Sequence, residues 1–384
     1  MDKIKRFLNA NWILLVILLT AFFFRAYNLD VRVLATDEDH SIRFANESLE
    51  GKLDVILSTE PHPPGYYLFL GSLLKLTNSV YFARIVNVII GVLGILVLYL
   101  LINIATSNKN LALLSSFLLA INPMHIIYSS QLRSYTLLSL IYLLSSLLLY
   151  KYIFKNYKKY IYAIVPLYII SFYLHFYSIF LVASHILTVL WFRKRISFKH
   201  YIYGILIFTA SILLYIPRLI KQINYTIIDA HLPFKPLSLV EVLYPLYKQA
   251  VMVNISAMGE TKYIAFIFVL LLSLIFVYGI YKLYRTDVHY GLFFSFIFFS
   301  VFLISLLADQ AVSYLSGGKT TIYYFRYFTY LSPLYTFFIA NGINTRNKFI
   351  KYLLLSIIIA GWISIIIFYY RISAIPDWSR YIGV

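Results

Sequence analysis

Residues 80–104 read VYFARIVNVIIGVLGILVLYLLINI, twenty-five residues in which Arg84 is the sole charge. About 20 apolar residues in helical conformation cross the ~30 Å hydrocarbon core of a bilayer. Inside that core every backbone N–H and C=O has to be paired, so a run of this kind is a transmembrane α-helix. Ten further runs lie near 11–29, 111–128, 134–150, 160–174, 176–192, 202–217, 263–281, 291–308, 327–342 and 352–370. Together they predict an all-α polytopic membrane protein of about eleven spans. A shorter apolar helix near 64–76 is too short for a full crossing and is expected at or partly within the membrane surface.

Composition agrees. The 384-residue chain is 61% hydrophobic, 19% aromatic and only 12% charged, whereas a soluble domain is about half apolar and about a quarter charged. A soluble enzyme and any disordered or fibrous class are excluded. Without cysteine there are no disulfides, thiolate metal sites or cysteine nucleophile.

The formal charge of +18 would ordinarily suggest a nucleic-acid partner. Its distribution points elsewhere. If the N-terminus, with Lys3, Lys5 and Arg6, is cytoplasmic, the cytoplasmic loops hold Lys151, Lys155, Lys158 and Lys159, then Arg193, Lys194, Arg195 and Lys199. Lys282 and Arg285 follow, then Arg346, Lys348 and Lys351. This is the positive-inside pattern, so the charge is assigned to topology and anionic-lipid contact, with no nucleic acid. The long first run with no small-residue cleavage site predicts an uncleaved anchor.

An odd number of spans puts the C-terminus outside. Thirteen of the 15 acids fall on that face, along with three long segments, 30–63, 218–262 and 309–326. Loops this long in a compact membrane domain are usually functional.

The first of them contains Thr36-Asp37-Glu38-Asp39-His40 and runs on to Gly51. Ile42, Ala45 and Leu49 predict a short amphipathic helix on the membrane, stopped by Gly51. Thr36 with Asp39 fits a capping box, and early acids suit the helix dipole. Capping does not require three consecutive acids beside a membrane, where desolvating charge is costly. The alternative is a carboxylate cluster that supplies a general base or orients a substrate or divalent cation. Further on, Glu60-Pro61-His62-Pro63-Pro64-Gly65-Tyr66-Tyr67 holds His62 rigidly where the next helix begins.

In these residues the chain resembles the GT-C polyprenyl-phosphate-sugar-dependent glycosyltransferases. It is similar in particular to the bacterial and archaeal relatives of the dolichyl-phosphate-mannose protein mannosyltransferases, which include the aminoarabinose lipid A transferase. Asp37, Glu38 and Gly51 match the family's first-loop acidic pair and helix end. His62, Pro63, Pro64 and Tyr67 match its H/K-P-P-x-x-Y entry, and Ala83-Arg84 before Gly91 and Gly94 matches its next element. Weaker matches are Arg133 and Tyr135 after Tyr128-Ser129-Ser130-Gln131-Leu132, Leu174-His175-Phe176-Tyr177, and Phe325-Arg326-Tyr327 with Pro333. They keep family order from about residue 20 to 335. Asp39 and His40 depart from the pattern. So does Ile375-Pro376-Asp377-Trp378-Ser379-Arg380, where many relatives enter a C-terminal domain but this sequence runs to Val384. The expected organisation is a catalytic membrane domain over 1–375 with a short extracytoplasmic tail over 376–384.

The resemblance implies a membrane glycosyltransferase that moves a sugar from a polyprenyl phosphate to a hydroxyl of a protein, lipid or envelope glycan, with inversion. Asp37 is then the expected base, and Glu38 positions the acceptor or holds a cation. A divalent Mg, Mn or Zn ion would be bound through Asp37 and Asp39. The departing phosphate needs positive charge. Arg133 and Arg326 are favoured for it, with His62 a third donor, since arginine suits phosphate geometry and cations are rare in membranes without a reason. Snorkelling is the alternative for each arginine, and it or loop charge accounts for Arg84, Lys75 and Lys319. His175 either lines the cavity or is structural. Tyr66, Tyr67, Tyr323, Tyr324 and Tyr327 stack on a sugar or belong to the aromatic belt. Gly317-Gly318-Lys319-Thr320 lacks the upstream glycine of a phosphate loop. A non-catalytic lipid-linked-sugar flippase is the competing class. It should show mid-membrane acids and broken helices, often in repeated halves.

Overall fold

The computed structural model describes residues 2–51, 60, 62–196, 198–213, 215–218, 220, 239–254, 259–315, 323–375, 378 and 381. Among them there is no strand. In chain order the helices are α1 (Asp2–Ala26), α2 (Thr36–Leu49), α3 (Gly65–Thr77), α4 (Val80–Thr106), α5 (Lys109–Ala120), α6 (Pro123–Ser129) and α7 (Tyr135–Phe154). Then come α8 (Ile161–Leu174), α9 (Ser178–Trp191), α10 (Phe198–Leu213), α11 (Leu239–Ala250), α12 (Lys262–Thr286), α13 (Val288–Leu315), α14 (Ser332–Ile343) and α15 (Lys348–Ile372). A 3₁₀ segment, Phe325–Leu331, leads into α14.

Each predicted span falls on one of these helices or on a pair of them. Among the described residues, α4, α7, α12, α13 and α15 are long and apolar enough to cross a membrane, and α5 with α6 makes a sixth candidate bent by 60°. The chain is a multi-pass membrane protein. Other predicted spans are shorter; α8 and α9 have 14 residues each, roughly 21 Å at the helical rise. The Gly317–Thr320 run, Lys319 and most of the segment 218–262 lie outside the described residues.

Local chemistry sets the helix starts. Ser79 Oγ accepts from Phe82 N at 3.2 Å to open α4, and Asn108 Oδ1 accepts from Leu111 N at 3.0 Å to open α5. Asn122 Oδ1 accepts from His125 N at 2.9 Å, with Pro123 in the first turn of α6. The break before α6 exposes carbonyls at the end of α5, and these need partners. Arg25, fully buried in α1, supplies them: Nη1 donates to Ala120 O at 2.9 Å and Nη2 to Leu119 O at 3.1 Å. That is why a cation sits inside the first apolar run, in the last turn of α1, a role the sequence reading did not assign.

α12 and α14 approach closely through glycine. A Cβ on Gly279 would overlap the Phe338 carbonyl, and one on Gly342 would overlap that of Ile275. Asn341 Nδ2 donates to Gly279 O across the contact at 2.8 Å. Small residues admit such backbone contact in membranes. Gly279→Val is expected to cost about 1–3 kcal/mol through overpacking. The cost should appear as a lower unfolding midpoint in detergent; an unchanged midpoint would contradict this packing.

The first loop is tied to the segment that follows α15. Val33 N donates to Ser373 O at 3.1 Å, and Trp378 Nε1 donates to Val33 O at 3.0 Å. Trp378, nearly fully buried, also carries the Arg32 guanidinium 5.5 Å above its ring. The predicted tail is therefore tied to the first loop at this residue. The rest of 376–384, apart from Tyr381, lies outside the described residues.

Candidate active site

α2 differs from its predicted form in two details. Ala35, not Thr36, is the N-cap, and Glu38 is the third helical residue, its Oε2 accepting from Ala35 N at 3.1 Å. The expected pairing of Thr36 with Asp39 is thus displaced by one residue, because Glu38 takes that place. The buried stripe is Glu38, Ser41, Phe44 and Ala45, while Leu49 is exposed. This stripe packs on α3 at Gly71, where a Cβ would stand 2.9 Å from Ala45 O. Gly51 does end the helix, with φ +75°.

Glu38 is fully buried in a cage of donors. Oε1 accepts from Arg32 Nη2 at 2.7 Å, Arg84 Nε at 3.2 Å and Leu132 N at 3.0 Å; Oε2 accepts from Arg84 Nη2 at 3.1 Å. Burial pushes this carboxyl up, but the Arg32 and Arg84 guanidiniums outweigh that and hold it below the usual carboxylate range. Arg84, read as a snorkelling residue, is a buried partner of the acidic motif and also donates to Leu29 O at 2.9 Å and Arg32 O at 3.0 Å. Arg32 was not singled out in the sequence.

Asp37, one residue earlier, points away from that cage. Its side chain is partly exposed, and Oδ2 accepts from Arg326 Nη1 at 3.0 Å. Arg133 Nε lies 3.9 Å from the same oxygen, and Arg133 Nη1 donates to Asp37 O at 3.2 Å and Ser41 Oγ at 3.1 Å. The two arginines named from sequence thus meet the acid named from sequence. Asp39 does not join them; it is exposed, two residues further along and about 200° round the helix.

A second group lies alongside. Glu60 Oε1 accepts from His62 Nδ1 at 2.8 Å and from the Tyr67 hydroxyl at 2.9 Å. Burial raises the Glu60 carboxyl, but the bonds from His62 and Tyr67 and the charges of His62 and Arg133 lower it further, below its ordinary range. The His62 ring stands edge-on to His175 at 4.6 Å, and His175 to Tyr327 at 4.8 Å. Tyr135 completes the enclosure 6.0 Å from Tyr327, with Arg133 5.6 Å above its ring. Arg326 lies 5.7 Å over the Tyr327 ring and so joins the two groups.

Tyr66 turns toward Asn87, whose Nδ2 is 3.3 Å from its hydroxyl, and Tyr323 hydrogen-bonds to Val242 O at 3.0 Å. Lys75 is exposed at the end of α3. Sequence reasoning gave Glu60 no role, although its place two residues before His62 was a usable signal.

Solved structures give the fold. The crystal structure of ArnT from Cupriavidus metallidurans bound to undecaprenyl phosphate matches with a TM-score of 0.62 at 14% identity, over 90% of this chain and 63% of that one. Its apo-state structure matches with a TM-score of 0.58 at 15% identity, over 87% and 59%. This chain has the GT-C fold. It spans about three fifths of the length of those structures. Within the GT-C fold here, residues 61–220 match the family model described as dolichyl-phosphate-mannose-protein mannosyltransferase. That match takes in His62, Arg84, Arg133 and His175, and it supports the resemblance carried by the motifs. A search of curated proteins finds no match.

Proposed function

We propose that the protein is a membrane glycosyltransferase that takes a sugar from a polyprenyl phosphate and places it on an acceptor hydroxyl at the extracytoplasmic face. The observation that carries this reading is Asp37, a partly exposed carboxylate set against Arg326 and Arg133. A base for the acceptor and positive charge for the departing phosphate therefore stand in one place.

In the proposed step the acceptor oxygen attacks the anomeric carbon as the bond from that carbon to the phosphate oxygen breaks, with inversion. The acceptor proton passes to the Asp37 carboxylate. The lipid phosphate leaves with the bonding electron pair, and Arg326, Arg133 and His62 stabilise the added negative charge. Tyr327, beside Arg326 and His175, is in this reading the ring that meets the sugar, and Tyr67 acts through its hydroxyl bond to Glu60. In this reading Glu38 serves by fixing α2, so that Asp37 is presented at a set height above the membrane. The charge asymmetry of the loops supports a cytoplasmic N-terminus with the site and the C-terminus outside.

A divalent cation fits these residues poorly. Asp39 turns away from Asp37, and the Asp37 carboxylate is already bonded to Arg326. No step is routed through a metal, and EDTA is expected to leave transfer within about twofold of its untreated rate. Loss of activity restored by Mg, Mn or Zn would reverse this.

The flippase reading draws on one observation, the bent pair α5–α6, since interrupted helices bind substrate in transporters. Here Arg25 closes the break with protein carbonyls, which favours a structural bend. Purified protein in lipid, given a panel of polyprenyl-phosphate sugars and hydroxyl acceptors, separates the readings. Transfer of label to an acceptor supports the enzyme; donor movement across vesicles without transfer supports the flippase.

A further inference from the structure

His175 occupies an extended joint between α8 and α9, with φ −165°. Its side chain is nearly fully buried. Nδ1 lies 3.1 Å from the backbone N of Tyr177. A backbone N–H only donates, so Nδ1 is the unprotonated nitrogen and the ring proton sits on Nε2. That Nε2–H is buried without a hydrogen-bond partner among the described residues. Buried donors left unpaired are rare and costly, and call for an explanation.

The surroundings say what would satisfy it. Arg326 Nε is a second buried donor without an acceptor among the described residues. Both side chains pack on the Tyr327 ring, the His175 ring at 4.8 Å and the Arg326 guanidinium at 5.7 Å from its centre. Two buried N–H donors, His175 Nε2–H and Arg326 Nε–H, are thus left unpaired among the described residues by side chains that pack on one ring. Burial, followed by the charges of His62, Arg133 and Arg326, drives the His175 imidazole well below its ordinary range, so the ring is neutral. The groups facing it are His62 beyond the proline pair, Arg133 and Tyr135 before and within α7, Tyr177 at α9, and Arg326 and Tyr327 in the 3₁₀ segment.

We propose that His175 Nε2–H is a fixed, uncharged hydrogen-bond donor to a phosphate oxygen of the lipid-linked donor, acting beside Arg326 across Tyr327. The proposal rests on the glycosyltransferase reading, and it makes His175 a binding residue whose contribution does not titrate. A hydrogen bond to a charged oxygen of this kind is worth about a tenfold or greater change in affinity.

The test uses the full chain in lipid nanodiscs with undecaprenyl phosphate as the probe. His175→Phe keeps the ring on Tyr327 and removes the donor; it is expected to weaken binding about tenfold by the same factor at pH 6 and pH 8. His175→Gln, which retains an N–H, should recover most of that loss. Unchanged affinity in His175→Phe, or a loss confined to low pH, overturns the proposal. If that variant does not fold, ¹⁵N-histidine spectra of the wild type decide. The proposal requires a protonated Nε2 whose resonance moves downfield on adding the lipid; an Nδ1–H ring, or no movement, refutes it. A wild-type protein that binds no undecaprenyl phosphate instead removes the functional reading beneath it.

Discussion

Asp37→Asn is expected to lower the rate of sugar transfer by about 10³-fold while the protein stays folded and still binds donor lipid. Its side chain is partly exposed and reaches one guanidinium at hydrogen-bond distance, Arg326 at 3.0 Å. An asparagine oxygen can still accept from Arg326, so the architecture survives and only the proton acceptor is lost. The defect should therefore lie in kcat. Arg326→Lys should show a different pattern, with weaker donor binding as well, since a point charge replaces the planar fork that reaches Asp37. Full transfer by Asp37→Asn, measured with a donor that the wild type uses, would remove Asp37 from the chemistry.

The spans were legible because bilayer crossing leaves a signal within each segment, and residues 80–104 display it without reference to any other part of the chain. Asp37, His62, Arg133 and Arg326 stand out as candidates in the sequence for another reason: charge or proline beside an apolar run has few structural excuses. The structure brings Arg326 to Asp37 across 289 positions, which no spacing could have shown. The burial of Glu38 among donors was hidden in the same way. Its neighbour in sequence, Asp37, looks equivalent, yet one helical position turns Glu38 by about 100° into a cage built by Arg84, 46 positions away, and Leu132, 94 away. Arg25 was hidden too, because its partners are carbonyls freed by the bend after α5, and a bend has no residue code in an apolar run. Residues whose work is pairwise and distant stay silent until the fold is known.

Glu38→Gln should act on the fold. The wild-type carboxylate satisfies Arg32 and Arg84 together, both almost wholly buried. Removing the negative charge leaves two buried guanidiniums repelling each other around a neutral amide whose NH₂ has no acceptor in the cage. Breaking a buried ion pair from one side typically costs about 3–5 kcal/mol. Because the Glu38 carboxyl is held below its ordinary range in the folded protein, its stabilising contribution is complete above the unfolded-state value and is lost as pH falls through the lower folded-state value. The gap in unfolding midpoint between wild type and Glu38→Gln should therefore be wide at pH 7 and close on acidification below about pH 4.5. Glu38→Gln is also expected to reduce transfer, but only in proportion to the folded fraction, unlike Asp37→Asn. If Glu38→Gln instead melts like the wild type and loses activity outright, the cage is not what holds α2. Glu38 would then have to be reached by substrate, although the structure buries it completely.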